Sequence, residues 1–346
     1  MIDIIDTDEG FDALAPEWKR LESNPRMRIF QTFLWNREGW RESCLEHPEN
    51  KLWILRWQQR NDVVIFPFFI DGHGTLRFIY DNHCDLLDTV YQSGANRHIC
   101  YREAVGAILS NPHIRSICLH KMYGESEALQ YLGVLLKGSI VARDNAFSWL
   151  DVQKSNDFVK SLTFMPSKDR SDLKGVLRKA EEKILRVFSK ANGDPFPEKL
   201  VESLVVSMRG THSREASFFP SPLMVFARCI YEEDKMDVAT LFAGEECVAA
   251  NFLLKKDSRV VSWIFLYTDN RASTELYVKY LSQECVRRSL TFDFGVGAYS
   301  YKIGTFRPCT GVTFAIRLGR THLRQIKAFF DANIRFVKDY VKAGRL

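Results

Sequence analysis

The sequence predicts a mixed α/β protein made of two tandem units, and three observations carry that reading. Its 346 residues suffice for two compact domains of about 100–200 residues each. Residues AVILMFWYC make up 46% of the chain and DEKR 26%, so packed cores are well supplied and disorder is disfavoured. The third observation is internal repetition. Segments 51–85 and 236–270 both read as strand, polar turn, strand, turn and strand, ending in Tyr80-Asp81-Asn82 or Tyr267-Thr268-Asp269-Asn270.

In the first unit, helical patterns at 8–22 and 31–46 precede the meander, whose polar turn runs from Gln58 to Asp62. A helix at 99–109 then leads into a strand at 114–120. The second unit repeats this about 185–190 residues later: helices at 171–188 and 197–208, the meander with its turn from Ala243 to Glu246, a helix at 275–289 and a strand at 291–294. A helix that returns the chain beside the meander makes the third and following strands a parallel pair in a mixed sheet (α+β in character), with helices on its faces. Joints fall near 162–168 and 191–198, and the second unit opens on a strand near 146–152. The expected divisions are 1–145, 146–318 and a final amphipathic helix at 319–346. That helix carries Leu323, Ile326, Phe330, Ile334, Val337 and Val341 on one face and reads as a packing helix with a solvated basic side.

Charge is unevenly placed. Residues 1–150 hold 16 Lys+Arg against 20 Asp+Glu, and residues 151–346 hold 32 against 23. The basic second half favours an anionic ligand, but its excess is far below that of a nucleic-acid-binding tail, so DNA is not an expected partner. Eight dispersed cysteines without a C-x-x-C pair read as reduced thiols. The acidic start and the lack of a membrane-length apolar run predict a cytoplasmic protein. Neither a metal nor a Cys–His triad is expected: His83-Cys84-Asp85 and Cys118-x-His120 have suggestive residue types but lack zinc-site spacing, and no G-x-S-x-G elbow, P-loop or dinucleotide fingerprint occurs.

Several strings then point to a known family: SKDRSDLKGVLRKAEE (167–182), Val248-Ala249-Ala250 in the meander, WIFLYTDN (263–270), FDFGVGAYSYKIGTF (292–306) and, near the start, IFQTFLWNREGW (29–40). This pattern resembles the GNAT-type acyltransferase domain of cellulose- and exopolysaccharide-biosynthesis-associated proteins. The doubled layout resembles the Fem peptidyltransferase-like double-GNAT proteins. The resemblance implies two tandem GNAT-like domains and direct acyl transfer, with an amine or hydroxyl attacking an acyl thioester in a V-shaped split between parallel strands. It places a splayed edge near Phe265, Leu266 and Tyr267, whose amides hold the thioester carbonyl. It also places the pyrophosphate of acyl-CoA (acetyl-CoA) at a helix start comprising Arg271, Ala272, Ser273 and Thr274. The family loop at this place contains glycine, Q/R-x-x-G-x-G/A; here 268–274 reads TDNRAST, and Asp269 repels phosphate unless it caps the helix.

Asp293, between two phenylalanines, points opposite to both. It reads either as a general base in the cleft or as a structural carboxylate bonding the amides of the 295–297 turn. The resemblance makes Tyr301 the acid for a leaving thiolate and Lys302 a partner for an anionic donor or substrate. It makes Tyr299 a substrate-binding residue and Arg178 an anion- and substrate-binding one, where the helix charges by themselves read as a solvated basic face; Met208 to His212, closing the next helix, read as part of an acceptor wall. Trp35, Trp40 and Trp263 read as core residues before they read as sugar-stacking ones. The expected function is acyl transfer from acyl-CoA to an amine or hydroxyl of a sugar, polysaccharide precursor or related small molecule. Two alternatives stay open: a Fem-like enzyme using aminoacyl-tRNA, and a non-catalytic scaffold in envelope or exopolysaccharide biosynthesis.

Overall fold

The computed structural model describes residues 1–92, 97–136, 138–211, 219–297 and 300–319. The C-terminal helix expected at 319–346 therefore lies outside the described residues, apart from residue 319. Two compact units divide the chain: Met1–Phe147 with the stretch from Gly311 form one, and Ser148–Thr310 the other. The sequence reading gave 311–318 to the second unit. Here the strand Cys309–Leu318 pairs antiparallel with Ser116–Tyr123, which draws that stretch into the first.

In the first unit a proline separates two sheets. Asp62–Phe66 lies in an antiparallel sheet with Ile54–Gln59, Ile2–Ile5 and Val90–Tyr91. Pro67 has no N–H to give that ladder, and the next strand, Phe68–Ile70, pairs instead with Lys51–Leu52 and Thr75–Phe78. Between them, Asp71 Oδ1 accepts the N–H groups of His73 and Thr75, both at 2.9 Å. Gly74 takes φ +79°, which favours glycine. After the helix Arg97–Ser110 the chain returns as Ser116–Tyr123, parallel to Thr75–Phe78, as the meander–helix–strand order predicts. Trp18, Trp35, Trp57, Phe66 and Tyr101 are fully buried in this unit, so Trp35 packs as core.

The second unit lines up Ile184–Ser189, Met236–Ala243, Glu246–Lys256 and Arg259–Tyr267 as antiparallel neighbours, with Leu290–Val296 parallel to the last. Residues 248–254 are all buried because both faces of their strand are covered. On one face Leu253, Tyr277, Phe292, Phe294 and Phe306 share a core with Leu173. On the other, Phe252 meets Phe219 and Trp263, and Trp263 meets Phe226 of the helix Ser221–Glu232.

The helix read over 171–188 is Ser167–Ala180, and the residues after its closing turn form the strand Ile184–Ser189. Leu185 and Val187 there alternate with Ile184 and Arg186, a period of two that prevails once the sheet offers a partner. Ser221–Glu232 had no counterpart in the sequence reading. All eight cysteines are free thiols, as expected. Among the described residues no helix is long and apolar enough to cross a membrane.

One buried carboxylate in the first unit is costly. Glu42 lies in the helix Phe33–Glu46, and neither of its oxygens has a hydrogen-bond partner among the described residues. Burial, with repulsion from Glu46 added, pushes its pKa from 4.5 up to about 8. Between these values the folded state holds more protons than the unfolded one, so stability falls as pH rises through that window. Glu42→Gln is expected to stabilise the protein by about 1–3 kcal/mol near pH 8 and to change it little near pH 4, where both states largely keep the proton. Denaturant unfolding at the two pH values checks this.

Candidate active site

The site arises where two strands pair and then part. Arg259–Tyr267 and Leu290–Val296 run parallel, with Arg259 opposite Thr291, Val260 opposite Phe292 and Val261 opposite Asp293; among the described residues their register ends there. Trp263 explains the parting. Against Glu246–Lys256, Ser262 sits opposite Leu253 and Ile264 opposite Phe252, so Trp263 has no opposite residue and forms a bulge. A bulge bends and twists its strand. Arg259–Tyr267 then keeps its antiparallel neighbour as far as Ala249, opposite Tyr267, while its other edge turns to the gap.

Backbone groups on a strand alternate in direction. Thr268 N–H donates to the Val248 carbonyl at 2.9 Å, on the antiparallel side. Tyr267 N–H therefore points to the gap, where its acceptor is Met208 Sδ at 3.3 Å, from the helix Glu198–Thr211. A thioether is a weak acceptor, and a carbonyl oxygen arriving there would be a stronger one. Leu266 is buried opposite Ala250, so its amide faces the antiparallel neighbour and not the gap. Of this predicted pair, Tyr267 has the geometry for holding a carbonyl and Leu266 does not.

A buried polar relay ties the gap to the helix Asn270–Arg287. Ser262 Oγ donates to Asn251 Oδ1 at 3.1 Å and lies 2.8 Å from Tyr277 Oη, which leaves the phenol as donor of that second bond. Sequence reasoning missed this relay, although a lone amide inside the run VAANFLL was its visible signal.

Asp293 is buried; its Oδ1 accepts Gly295 N–H at 2.9 Å and its Oδ2 is 3.9 Å from Arg259 Nη1. Gly295 and Gly297, at φ 75° and 105°, give the strand end a form that side chains disfavour. Lys302, on the helix Ser300–Phe306, is also buried and donates to the Phe294 carbonyl at 2.5 Å. These contacts gather Asp293 and Lys302 at the end of one strand. The Tyr301 side chain, Tyr299 and His212 lie outside the described residues. Arg178 is exposed in the last turn of Ser167–Ala180.

The helix start departs from a phosphate cradle. Asp269 is the N-cap of Asn270–Arg287, and its Oδ1 takes the Ala272 N–H at 2.7 Å. Ala272 and Ser273 are buried. Arg271 Nε donates to Glu275 Oε1 at 2.8 Å, and Lys183 Nζ donates to the other oxygen of this buried carboxylate at 2.5 Å. Two carboxylates thus hold the amide and the guanidinium expected to meet pyrophosphate. A diphosphate at this helix start would have to displace Asp269 from Ala272.

Residues 167–303 match the family model for the acetyltransferase (GNAT) domain. No curated protein matches the sequence at a significant level. Among solved structures, the chain is similar to the C-terminal (DUF2156) domain of a candidate lysylphosphatidylglycerol synthetase from Agrobacterium fabrum, with TM-score 0.58 and 12% identity over 95% of this chain and 97% of that one. It is similar to FemX, with TM-score 0.54 and 11% identity over 91% and 96% of the two chains. A tandem GNAT protein from the clavulanic acid biosynthesis pathway gives TM-score 0.50 and 10% identity over 93% and 100%. At such identities the likeness to these three is one of fold. Residues 167–303 therefore form an acyltransferase domain of GNAT type, within a chain folded like the tandem GNAT and Fem-like proteins.

Proposed function

We propose that the second unit transfers an acyl group from acyl-CoA to an amine or hydroxyl by direct attack in the gap between Arg259–Tyr267 and Leu290–Val296. The observation that carries this reading is Tyr267 N–H, aimed into the gap and engaged by a thioether. The acceptor attacks the carbonyl carbon, charge grows on the carbonyl oxygen, and the Tyr267 amide stabilises it without having to reorient. Tyr301 is the proposed acid for the leaving thiolate. Asp293 and Lys302 take part as residues that shape the strand end, with Asp293 the proposed base, and Arg178 and Tyr299 as acceptor-binding residues. A sugar or polysaccharide precursor as acceptor is supported by the resemblance of FDFGVGAYSYKIGTF to exopolysaccharide-associated enzymes.

A second reading, transfer from aminoacyl-tRNA, is favoured by the carboxylate capping Ala272, because a donor not anchored by diphosphate at this helix has nothing to displace. Thiol release from acetyl-CoA and longer acyl-CoAs with mixed amine and sugar acceptors tests the first reading. If none releases thiol and none raises the Tm, the CoA reading fails; transfer of a labelled aminoacyl group from tRNA then establishes the second.

Asn is as good an N-cap as Asp, so Asp269→Asn preserves the helix start while removing a charge. If diphosphate binds there, the variant is expected to lower KM for acyl-CoA by about three- to tenfold. An unchanged KM in steady-state kinetics locates the donor's phosphates elsewhere.

Asp293→Asn keeps an oxygen for Gly295 N–H. As a base, Asp293 is expected to lose about 10²–10⁴-fold in turnover on this change, with little shift in Tm. Equal turnover in wild type and variant would confine the carboxylate to holding the turn.

A further inference from the structure

We propose that Cys118, His120 and Asp144 of the first unit form a nucleophilic triad in which Cys118 accepts an acyl group from an acyl thioester. The three lie on two strands. Along Ser116–Tyr123, Ile117 and Leu119 point into the core, while Ser116, Cys118 and His120 share the half-exposed face. The parallel register with Thr75–Phe78 covers Thr75 opposite Ser116 and Leu76 opposite Ile117, and Cys118 follows immediately after. A bulge then aims the imidazole. Opposite this strand, Ile316 meets Leu119 and Phe314 meets Met122, so His120 and Lys121 share one partner, and Lys121 takes φ 58°.

His120 Nε2 lies 2.9 Å from Cys118 Sγ, and His120 Nδ1 lies 3.4 Å from Asp144 Oδ2. Asp144, on Ile140–Val152 and 3% exposed, also accepts Lys121 N–H at 3.1 Å, which fixes the carboxylate. The imidazole presents different nitrogens to the thiol and to the carboxylate. The donors therefore form a relay and do not converge as metal ligands would.

The surrounding charges favour the ion pair. Burial opposes the Cys118 thiolate, but the His120 hydrogen bond and the charges of His120, Arg317 and Arg77 outweigh it and hold the thiol below its ordinary value. Burial likewise opposes the imidazolium, yet its bonds to Asp144 and Cys118 raise His120 to about 9. Arg317 is directly opposite Cys118 in the ladder. Arg77 is paired with Asp81, at 2.9 Å. Burial pushes Cys44, Cys84, Cys100, Cys247 and Cys285 in the other direction. A thiol held below its ordinary range beside an oriented proton donor is the arrangement of an activated cysteine nucleophile.

In the step, Cys118 S⁻ attacks the carbonyl carbon of the donor thioester. The bond from that carbon to the donor sulfur breaks, and the departing thiolate takes the proton from His120 Nε2. The products are an S-acylated Cys118 and a free thiol, and no oxidant or reductant is needed.

The test uses the full chain with no acceptor present, so its outcome is independent of the second unit's reaction. Acetyl-CoA, and separately S-acetyl-N-acetylcysteamine, a thioester without a nucleotide, are each expected to add one hydroxylamine-sensitive acetyl group per chain, mapped to Cys118 by peptide mass spectrometry. Cys118→Ala abolishes the adduct. Asp144→Asn slows its formation by about tenfold or more, and circular dichroism reports whether that variant is folded. Near pH 6, iodoacetamide is expected to modify Cys118 at least about tenfold faster than Cys309, the exposed thiol that serves as internal reference. Alkylation of Cys118 no faster than Cys309 would remove the thiolate. Fast alkylation without acetylation by either thioester would overturn its role as acyl acceptor.

Discussion

The second unit depends on one conflict over hydrogen bonds at Trp263. Two parallel strands sharing a sheet ordinarily exchange backbone bonds along their length. The extra residue in Arg259–Tyr267 gives that strand a bend its parallel neighbour does not share, and register holds only from Arg259 to Val261. Beyond it, the Tyr267 amide bonds a sulfur atom, a weaker acceptor than a carbonyl oxygen. The rest of the unit keeps this arrangement from collapsing. Trp263 is gripped between Phe226 and Phe252, and Ser262 is held by Asn251 and Tyr277. The far strand ends in Gly295 and Gly297, with Asp293 and Lys302 bonded to its backbone. Each contact restrains a segment that the parallel ladder would otherwise restrain.

Charge at the start of Asn270–Arg287 follows a different logic from the backbone. A helix N-terminus attracts an anion, and evolution can supply that anion from a ligand or from the chain itself. Here the chain supplies two, Asp269 at the cap and Glu275 one turn on, and the second is buried between Lys183 and Arg271. Removing either partner of a buried carboxylate strands the remaining charge, so Arg271 is bound to this structural role even though it is two-thirds exposed. The basic excess of the second half cannot be read directly as phosphate affinity, because part of it balances carboxylates within the fold.

Much of the architecture was legible because it depends on period and order. The two meander–helix–strand series, and the parallel pairs they imply, need only alternating strands and a helix that returns the chain to the sheet. What failed was local. Residues 184–188 satisfy a helical stripe and a strand alternation equally well, and only the presence of Met236–Ala243 as a partner decides between them. At the site, the string WIFLYTDN located the strand edge but not which amide faces out, since alternation starts anew after the bulge at Trp263. Cys118 and His120 were visible as a pair on one strand face; Asp144 is on another strand and has no sequence spacing that reveals it.

The two units treat the same parting of parallel strands in opposite ways, and a single lysine shows how. In the second unit the chain passes from Tyr267 through a short turn directly into a helix at Asn270. In the first, Tyr80 takes a left-handed conformation and the chain runs on through Asp81–His83 to lie beside Ser116–Tyr123, where Leu87 N–H bonds the Lys121 carbonyl. Lys121 Nζ then binds the carbonyls of Asp81, Asn82 and Cys84. A half-buried ammonium with three carbonyl partners is a satisfied cation, and it ties that loop to the strand. The two units thus share a meander–helix–strand order, and in the first the chain fills the place beside the returning strand. The residue before this lysine, His120, is the one its bulge turns toward Asp144. The same bulge therefore serves both contacts, Lys121 with the loop carbonyls and His120 with Asp144.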